Sequence, residues 1–242
     1  MSVLVIEGLT KSFRGFVAVD DVSLELNAGE LRGLIGANGA GKSTLLHLIY
    51  GRLQADRGTI RFASTDVTPL VARERARLGM GLVFQVTSVF DDLTIEENLL
   101  LGALPKLKGT QSSIDGEEVE RVLKLIELSA VRSRRARHLS HGQHRWLEIG
   151  MVLLTEPKLL LLDEPTSGMT RAESRRTASL LREMQTAQAA EAMIVVEHNV
   201  EFIRLVSDRV TVMHRGRVLA DGTVDEVQAN REVQASYLGR RH

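Results

Sequence analysis

The chain has 242 residues, 43% hydrophobic and 26% charged, which is enough for one α/β domain with an appended subdomain. Thirty-one Lys+Arg balance thirty-one Asp+Glu, which argues against nucleic-acid binding through bulk charge. With no cysteine, disulfides and thiolate metal sites are excluded, and no apolar run approaches the roughly 18 residues of a membrane span. The opening MSVLVIEGLTKSF lacks the basic and long apolar regions of a signal peptide, so an intracellular protein is expected.

In chain order, Val22, Leu24 and Leu26 alternate with Ser23, Glu25 and Asn27, the period of a half-buried strand. Asn27–Glu30 reads as a turn, and Leu31–Ile35 as a buried strand running into glycines. Lys42–Tyr50 reads as a helix stopped by Gly51, and Asp56–Phe62 as a further strand. Helical signals then dominate. Thr94 and Glu97 form a capping box. Val119, Val122, Leu123 and Ile126 mark one helical face. Ser140 and Gln143 form a second capping box. Residues 88–152 are therefore expected to be a helical insertion in a core made from 1–87 and 153–242.

Strands return with KLLLLDEP, Lys158–Pro165, whose unbroken apolar run is typical of a strand covered on both faces in a parallel sheet. Thr170 and Glu173 start the next helix. Ala192–His198 is another buried strand, and Arg209–Gly222 reads as a hairpin turning at Arg215-Gly216. Trp146 and the methionines are expected in the core. RSRRAR, residues 132–137, reads as a solvated segment facing anions.

GANGAGKST, Gly36–Thr44, lies between a predicted strand and a predicted helix. That context makes G-x-x-x-x-G-K-[ST] a phosphate-binding loop. Its backbone at Gly36, Asn38, Gly39, Ala40, Gly41 and Thr44 would turn N–H groups inward, and the helix dipole would add to them. Lys42 would reach the β- and γ-phosphates, and Ser43 would ligate Mg²⁺. Asp163 and Glu164 close an apolar strand, where ligands of parallel sheets gather. The first carboxylate suits Mg²⁺ and the second suits orientation of an attacking water. Gln85 and His198 also end apolar strands. Alone, Gln85 reads as a surface residue and His198 as structural; beside a phosphate loop, Gln85 suits Mg²⁺ or water and His198 suits a γ-phosphate. Ser140 and Gly142 leave unpaired N–H groups at a helix start, a second anion site.

The phosphate loop, Gln85, LSHGQ, LLLLDEP and His198, in this order, resemble the ATP-binding subunit of ATP-binding-cassette (ABC) transporters over essentially the whole chain. The resemblance implies a P-loop NTPase fold: a RecA-like core, an N-terminal antiparallel β subdomain and an inserted helical subdomain. It also implies ATP and Mg²⁺ as ligands. In such a protein two cassettes, identical or different, face head to tail. Ser140, His141, Gly142 and Gln143 would then serve the partner's nucleotide. Phe13 would stack on adenine, with Phe16 as the alternative. Permease subunits would hold the chain at the cytoplasmic face of the membrane. A substrate-binding protein would act only indirectly, and no nucleic acid is expected.

RLGMGLVFQVTSVFDDLTIEENLLLG, LSHGQHRWLEIGM, DEPTSGMT and the closing SYLG resemble importer ATPases for branched-chain amino acids, urea and short-chain amides. WLEIGM with SGMT leans toward urea and amides. Lipopolysaccharide-export ATPases are the alternative, with soluble ABC proteins behind them. The chain departs from the family pattern at three places. His141 replaces a glycine and is expected to point outward from the helix start. Ala37 replaces a proline. Thr170 stands where an aspartate normally couples the two sites.

Overall fold

The computed structural model describes residues 2–84, 89–104 and 115–235. Gln85 and the closing SYLG lie outside the described residues. The chain begins with β1 (Ser2–Phe13), β2 (Phe16–Asn27) and β3 (Leu31–Gly36). Then come α1 (Lys42–Tyr50), β4 (Arg57–Phe62), β5 (Thr65–Asp66), α2 (Ala72–Arg77) and β6 (Met80–Val83). Three helices follow: α3 (Ile95–Ala103), α4 (Gly116–Leu125) and α5 (His141–Leu153). The chain continues through β7 (Leu159–Asp163), α6 (Arg171–Thr186), β8 (Ala192–Val196) and α7 (Val200–Val206). It closes with β9 (Arg209–His214), β10 (Arg217–Gly222), α8 (Val224–Ala229) and α9 (Arg231–Val233).

Two sheets organise these elements. The larger has the order β10-β9-β3-β8-β7-β6. Its strands β9, β3, β8, β7 and β6 are parallel, and β10 returns antiparallel through the hairpin at Arg215 and Gly216, both at positive φ. The smaller, β2-β1-β4-β5, is antiparallel. This is the α/β P-loop NTPase fold expected from the sequence.

The unbroken LLLL of β7 has a direct cause. Leu160 and Leu162 join the core under the helices, while Leu159 and Leu161 join the core shared with α1 and the smaller sheet. Both faces are buried, so alternation would leave polar groups dry. In β2, by contrast, Val22, Leu24 and Leu26 are buried and Ser23, Glu25 and Asn27 are exposed.

Helices α3, α4 and α5 share a core of Ile95, Leu99, Val119, Val122, Leu123, Ile126, Leu147 and Ile149. Gly150 allows their close approach: a Cβ there would lie 2.7 Å from Ile126 Cδ1 and 3.0 Å from Leu99 Cδ2. Capping boxes start α3 at Thr94, α5 at Ser140 and α6 at Thr170. Buried Trp146 carries its polar edge to α6, donating from Nε1 to Thr177 Oγ1 at 2.9 Å. Met80, Met184, Met193 and Met213 are core residues. In the basic stretch, Arg132 pairs with Glu96 and Glu120, and Arg137 with Asp92. Among the described residues no helix is long and apolar enough to cross a membrane.

Candidate nucleotide site

The C-terminal ends of β3, β7 and β8 open on one side of the larger sheet, and the glycine-rich turn after β3 lies there. Together they form a cleft of about 440 Å³ lined by residues 38–44, Glu164 and His198. Gly41 precedes α1 at φ 101°, and no side chain caps the helix start. An added Cβ at Gly41 would lie 2.3 Å from the Ala18 carbonyl oxygen, so only glycine fits between β2 and the loop. The first N–H groups of α1 therefore face the cleft with no competing side-chain acceptor, which suits a phosphate.

Lys42 is buried, and its Nζ donates to the carbonyls of Gly36 at 2.8 Å and Ala37 at 3.1 Å. Burial pushes its pKa down, against the opposing attraction of Glu164, Asp163 and Glu197. Ser43 Oγ donates to Asp163 Oδ1 at 3.3 Å. Burial, and after it the Glu164 carboxylate, push Asp163 up. Lys42 and Asp163 are thus both held where their charged forms are disfavoured. A polyphosphate with a hard cation would compensate both signs. The Ser43 hydroxyl and Asp163 carboxylate supply the oxygen donors that such a cation requires.

Glu164 has φ 47°, left-handed for a non-glycine residue. Its N–H donates to Val196 O at 3.0 Å, and its carbonyl accepts from Ser167 N at 3.1 Å and from Arg145 Nη2 at 3.3 Å. His198 Nδ1 lies 3.9 Å from Glu164 Oε1. Glu197, fully buried, accepts from Thr166 N at 3.0 Å and Thr166 Oγ1 at 2.5 Å, and it pins the turn after Glu164. Sequence reading missed Glu197; its only signal was an acid directly before His198.

Phe13 and Phe16 face each other across the tip of the β1–β2 hairpin and are both exposed. Lys11 Nζ sits 5.7 Å from the centre of the Phe13 ring. Neither ring lines the phosphate cleft, although Ala18 brings β2 against Gly41.

Residues 140–143 do not line that cleft either. Ser140 Oγ accepts from Gln143 N at 3.3 Å, and Gln143 Oε1 accepts from Ser140 N at 3.0 Å, so the glutamine side chain serves its own helix start. Ser140 Oγ also donates to Glu173 Oε1 at 3.0 Å. The Thr170 backbone amide foremost, then the hydroxyls of Thr170 and Ser140 and the Gly142 amide, hold Glu173 below the usual carboxylate range. The start of α5 therefore already binds an anion, one from its own chain. His141 corrects an expectation. Its Nε2 lies 2.8 Å from Ser167 O, so the ring reaches back to the turn after β7 rather than outward. No sequence pattern placed that carbonyl within reach.

Comparisons with known proteins agree with this geometry. Residues 19–167 match a family model described as ABC transporter. Residues 217–242 match one described as branched-chain amino acid ATP-binding cassette transporter. The chain is 35% identical to a probable ABC transporter ATP-binding protein of Azorhizobium caulinodans, over 96% of this chain and 81% of that protein. It is 33% identical to the high-affinity branched-chain amino acid transport ATP-binding protein LivG of Salmonella typhimurium, over 98% and 97% of the two chains. Among solved structures, the ADP conformation of MJ1267, an ATP-binding cassette of an ABC transporter, superposes with a TM-score of 0.88 at 30% identity. That superposition covers 99% of this chain and 100% of the other.

Proposed function

Because this chain belongs to the ABC transporter family of ATP-binding subunits and is an ATPase, we propose that it powers an importer by closing with a second cassette around two molecules of ATP and Mg²⁺. The observation that carries the reading is the composition of the cleft. It gathers residues 38–44, Glu164 and His198, and leaves Ser140, His141, Gly142 and Gln143 on a separate helix start. One chain thus holds a phosphate cradle without a second set of γ-phosphate donors, and a second chain has that set to offer.

In this reading the loop amides and Lys42 bind the β- and γ-phosphates. Ser43 and Asp163 hold Mg²⁺, which neutralises phosphate charge when bound, and Gln85 adds a ligand. Glu164 orients the attacking water, and His198 hydrogen-bonds the γ-phosphate. Phe13 or Phe16 stacks on adenine. Residues 88–152 act as a lobe whose motion relative to the core passes to permease subunits at the cytoplasmic face of the membrane. The solute is a branched-chain amino acid or a small amide such as urea. The C-terminal match to a branched-chain amino acid cassette and full-length similarity to LivG favour the amino acid side of that pair.

Glu164→Gln tests the core of this reading. The variant is expected to lose steady-state hydrolysis yet elute as a dimer on size exclusion with ATP and Mg²⁺. Wild-type hydrolysis by this variant would remove Glu164 from its role. Reconstitution with the permease, with hydrolysis measured against leucine, urea and acetamide, separates the solutes.

A further inference from the structure

Arg145 is a buried guanidinium that no part of the nucleotide site reading uses. It lies on α5, five residues beyond Ser140, and pairs with buried Glu148 at 2.9 Å. Its other contacts leave the helical lobe. Nη1 donates to the carbonyl of Phe84, and Nη2 donates to the carbonyl of Glu164 at 3.3 Å. Phe84 directly follows β6 and precedes Gln85; Glu164 directly follows β7. These strands are parallel neighbours, with Val83 opposite Leu162. A single side chain from α5 therefore closes the adjacent C-terminal ends of two core strands, and both ends carry predicted site residues.

We infer that Arg145 is a positioning residue for ATP hydrolysis, fixing the backbone of Glu164 relative to α5; this rests on Glu164 acting as the water-orienting carboxylate. Glu164 needs such a fixture. Its φ of 47° is a conformation that non-glycine residues hold only when their surroundings impose it. The Val196 carbonyl grips its N–H and Ser167 N–H its carbonyl, but both lie in the core. Arg145 is the described contact that makes the carbonyl of Glu164 depend on where α5 sits. A tilt of α5 would release that carbonyl and re-aim the carboxylate on the same residue.

The chemistry requires arginine. Three acceptors, a carboxylate and two carbonyls, are spanned by one planar fork with fixed donor directions. Lysine would keep the charge toward Glu148, but its compact ammonium cannot reach both strand ends at once.

The test uses the full chain with ATP and Mg²⁺. Arg145→Lys is expected to bind ATP as the wild type does, because residues 38–44 are untouched, while kcat falls on the order of 10- to 100-fold, the scale of a misplaced catalytic group. KM stays within about threefold, since Glu164 takes no part in ground-state binding. Single-turnover rates in a Glu164→Gln background separate positioning from general structural damage. There Arg145→Lys should add no further loss, because the group it aims is gone, whereas damage elsewhere would add. Arg145→Gln with Glu148→Gln, which leaves no unpaired buried charge, serves if the lysine variant melts early. The inference is overturned if both variants keep kcat within threefold of wild type while Glu164→Gln is inactive. It is also overturned if their losses add fully to that of Glu164→Gln. Should Glu164→Gln hydrolyse ATP normally, the underlying reading fails first and takes this inference with it.

Discussion

Replacing Ser140 with alanine separates stability from function at the start of α5. The substitution removes two bonds of the hydroxyl: acceptance from Gln143 N at 3.3 Å and donation to Glu173 Oε1 at 3.0 Å. The reciprocal bond from Ser140 N to Gln143 Oε1, 3.0 Å, involves the backbone and survives. The expected stability loss is that of one N-cap, about 1 kcal/mol, because the Glu173 contact is exposed. For a chain of this size that lowers the melting midpoint by roughly 2–4 °C and leaves the protein folded. A hydroxyl that donates to the partner's γ-phosphate is worth far more in rate, on the order of 10²–10³. Melting by fluorimetry and steady-state hydrolysis at saturating ATP measure the two effects separately. Mixing then tests the trans geometry. Ser140→Ala paired with Lys42→Ala regenerates one intact site per mixed dimer. With random pairing, about a quarter of wild-type activity returns from two nearly inactive proteins. A rate loss below tenfold, or no recovery on mixing, would refute the shared site.

Two further outcomes follow from the cleft. Lys42→Ala should bind ATP at least about tenfold more weakly by nucleotide titration, a direct test of its phosphate contact. Its melting midpoint should change little, because the Nζ bonds lost to the carbonyls of Gly36 and Ala37 are offset by relief of the burial that opposes its charge. Asp163→Asn should lose hydrolysis yet melt higher than wild type at neutral pH without nucleotide. Burial and Glu164 raise the Asp163 pKa in the folded chain, so its ionisation costs stability above the ordinary carboxylate range. That penalty disappears as pH falls and the folded carboxyl takes up its proton. The difference between the two melting curves should therefore close on acidification; a constant gap would contradict the sign.

Much of the fold was legible because its signals are local. The three capping boxes, Gly51 after α1, the Arg215-Gly216 turn and the doubly buried β7 each depend on residues within a few positions. What escaped depends on distant partners. Helix α2 has the sequence ARERAR, with no apolar face to read. It exists where it does because buried Arg75 donates to the carbonyls of Leu48 at 2.6 Å and Ile49 at 2.8 Å, and to those of Leu70 and Thr68. Burial lowers its pKa to about 10, which leaves it charged at neutral pH. Glu173 was legible as a cap, since Thr170 lies three residues away; its second oxygen meets Ser140, thirty-three residues away. Arg145 was illegible for the same reason. Its acceptor at Phe84 lies sixty-one residues upstream.

On the shared-site reading, the Glu173 contact also bears on how the start of α5 persists without a partner. A helix start with aligned N–H groups and a buried flank is unfavourable when nothing accepts from it. In the single chain Glu173 accepts from Ser140 Oγ and the Gly142 amide, so these donors of the α5 start are engaged before any nucleotide arrives. A phosphoryl group from a second cassette would offer more charge and more acceptor oxygens to the same donors. On the shared-site reading, it exchanges with the carboxylate instead of filling a void. The exchange would leave Glu173 in the capping box of α6 with Thr170, whose bonds to it are independent of Ser140. On the same reading a change at Ser140 would be passed along α5 to Arg145, little more than one turn away, whose Nη2 donates to the Glu164 carbonyl. On the shared-site reading, occupancy of a neighbour's phosphate site would have a short covalent and hydrogen-bonded route to the Glu164 carboxylate of this chain. That route would run through α5 and need no aspartate where Thr170 stands.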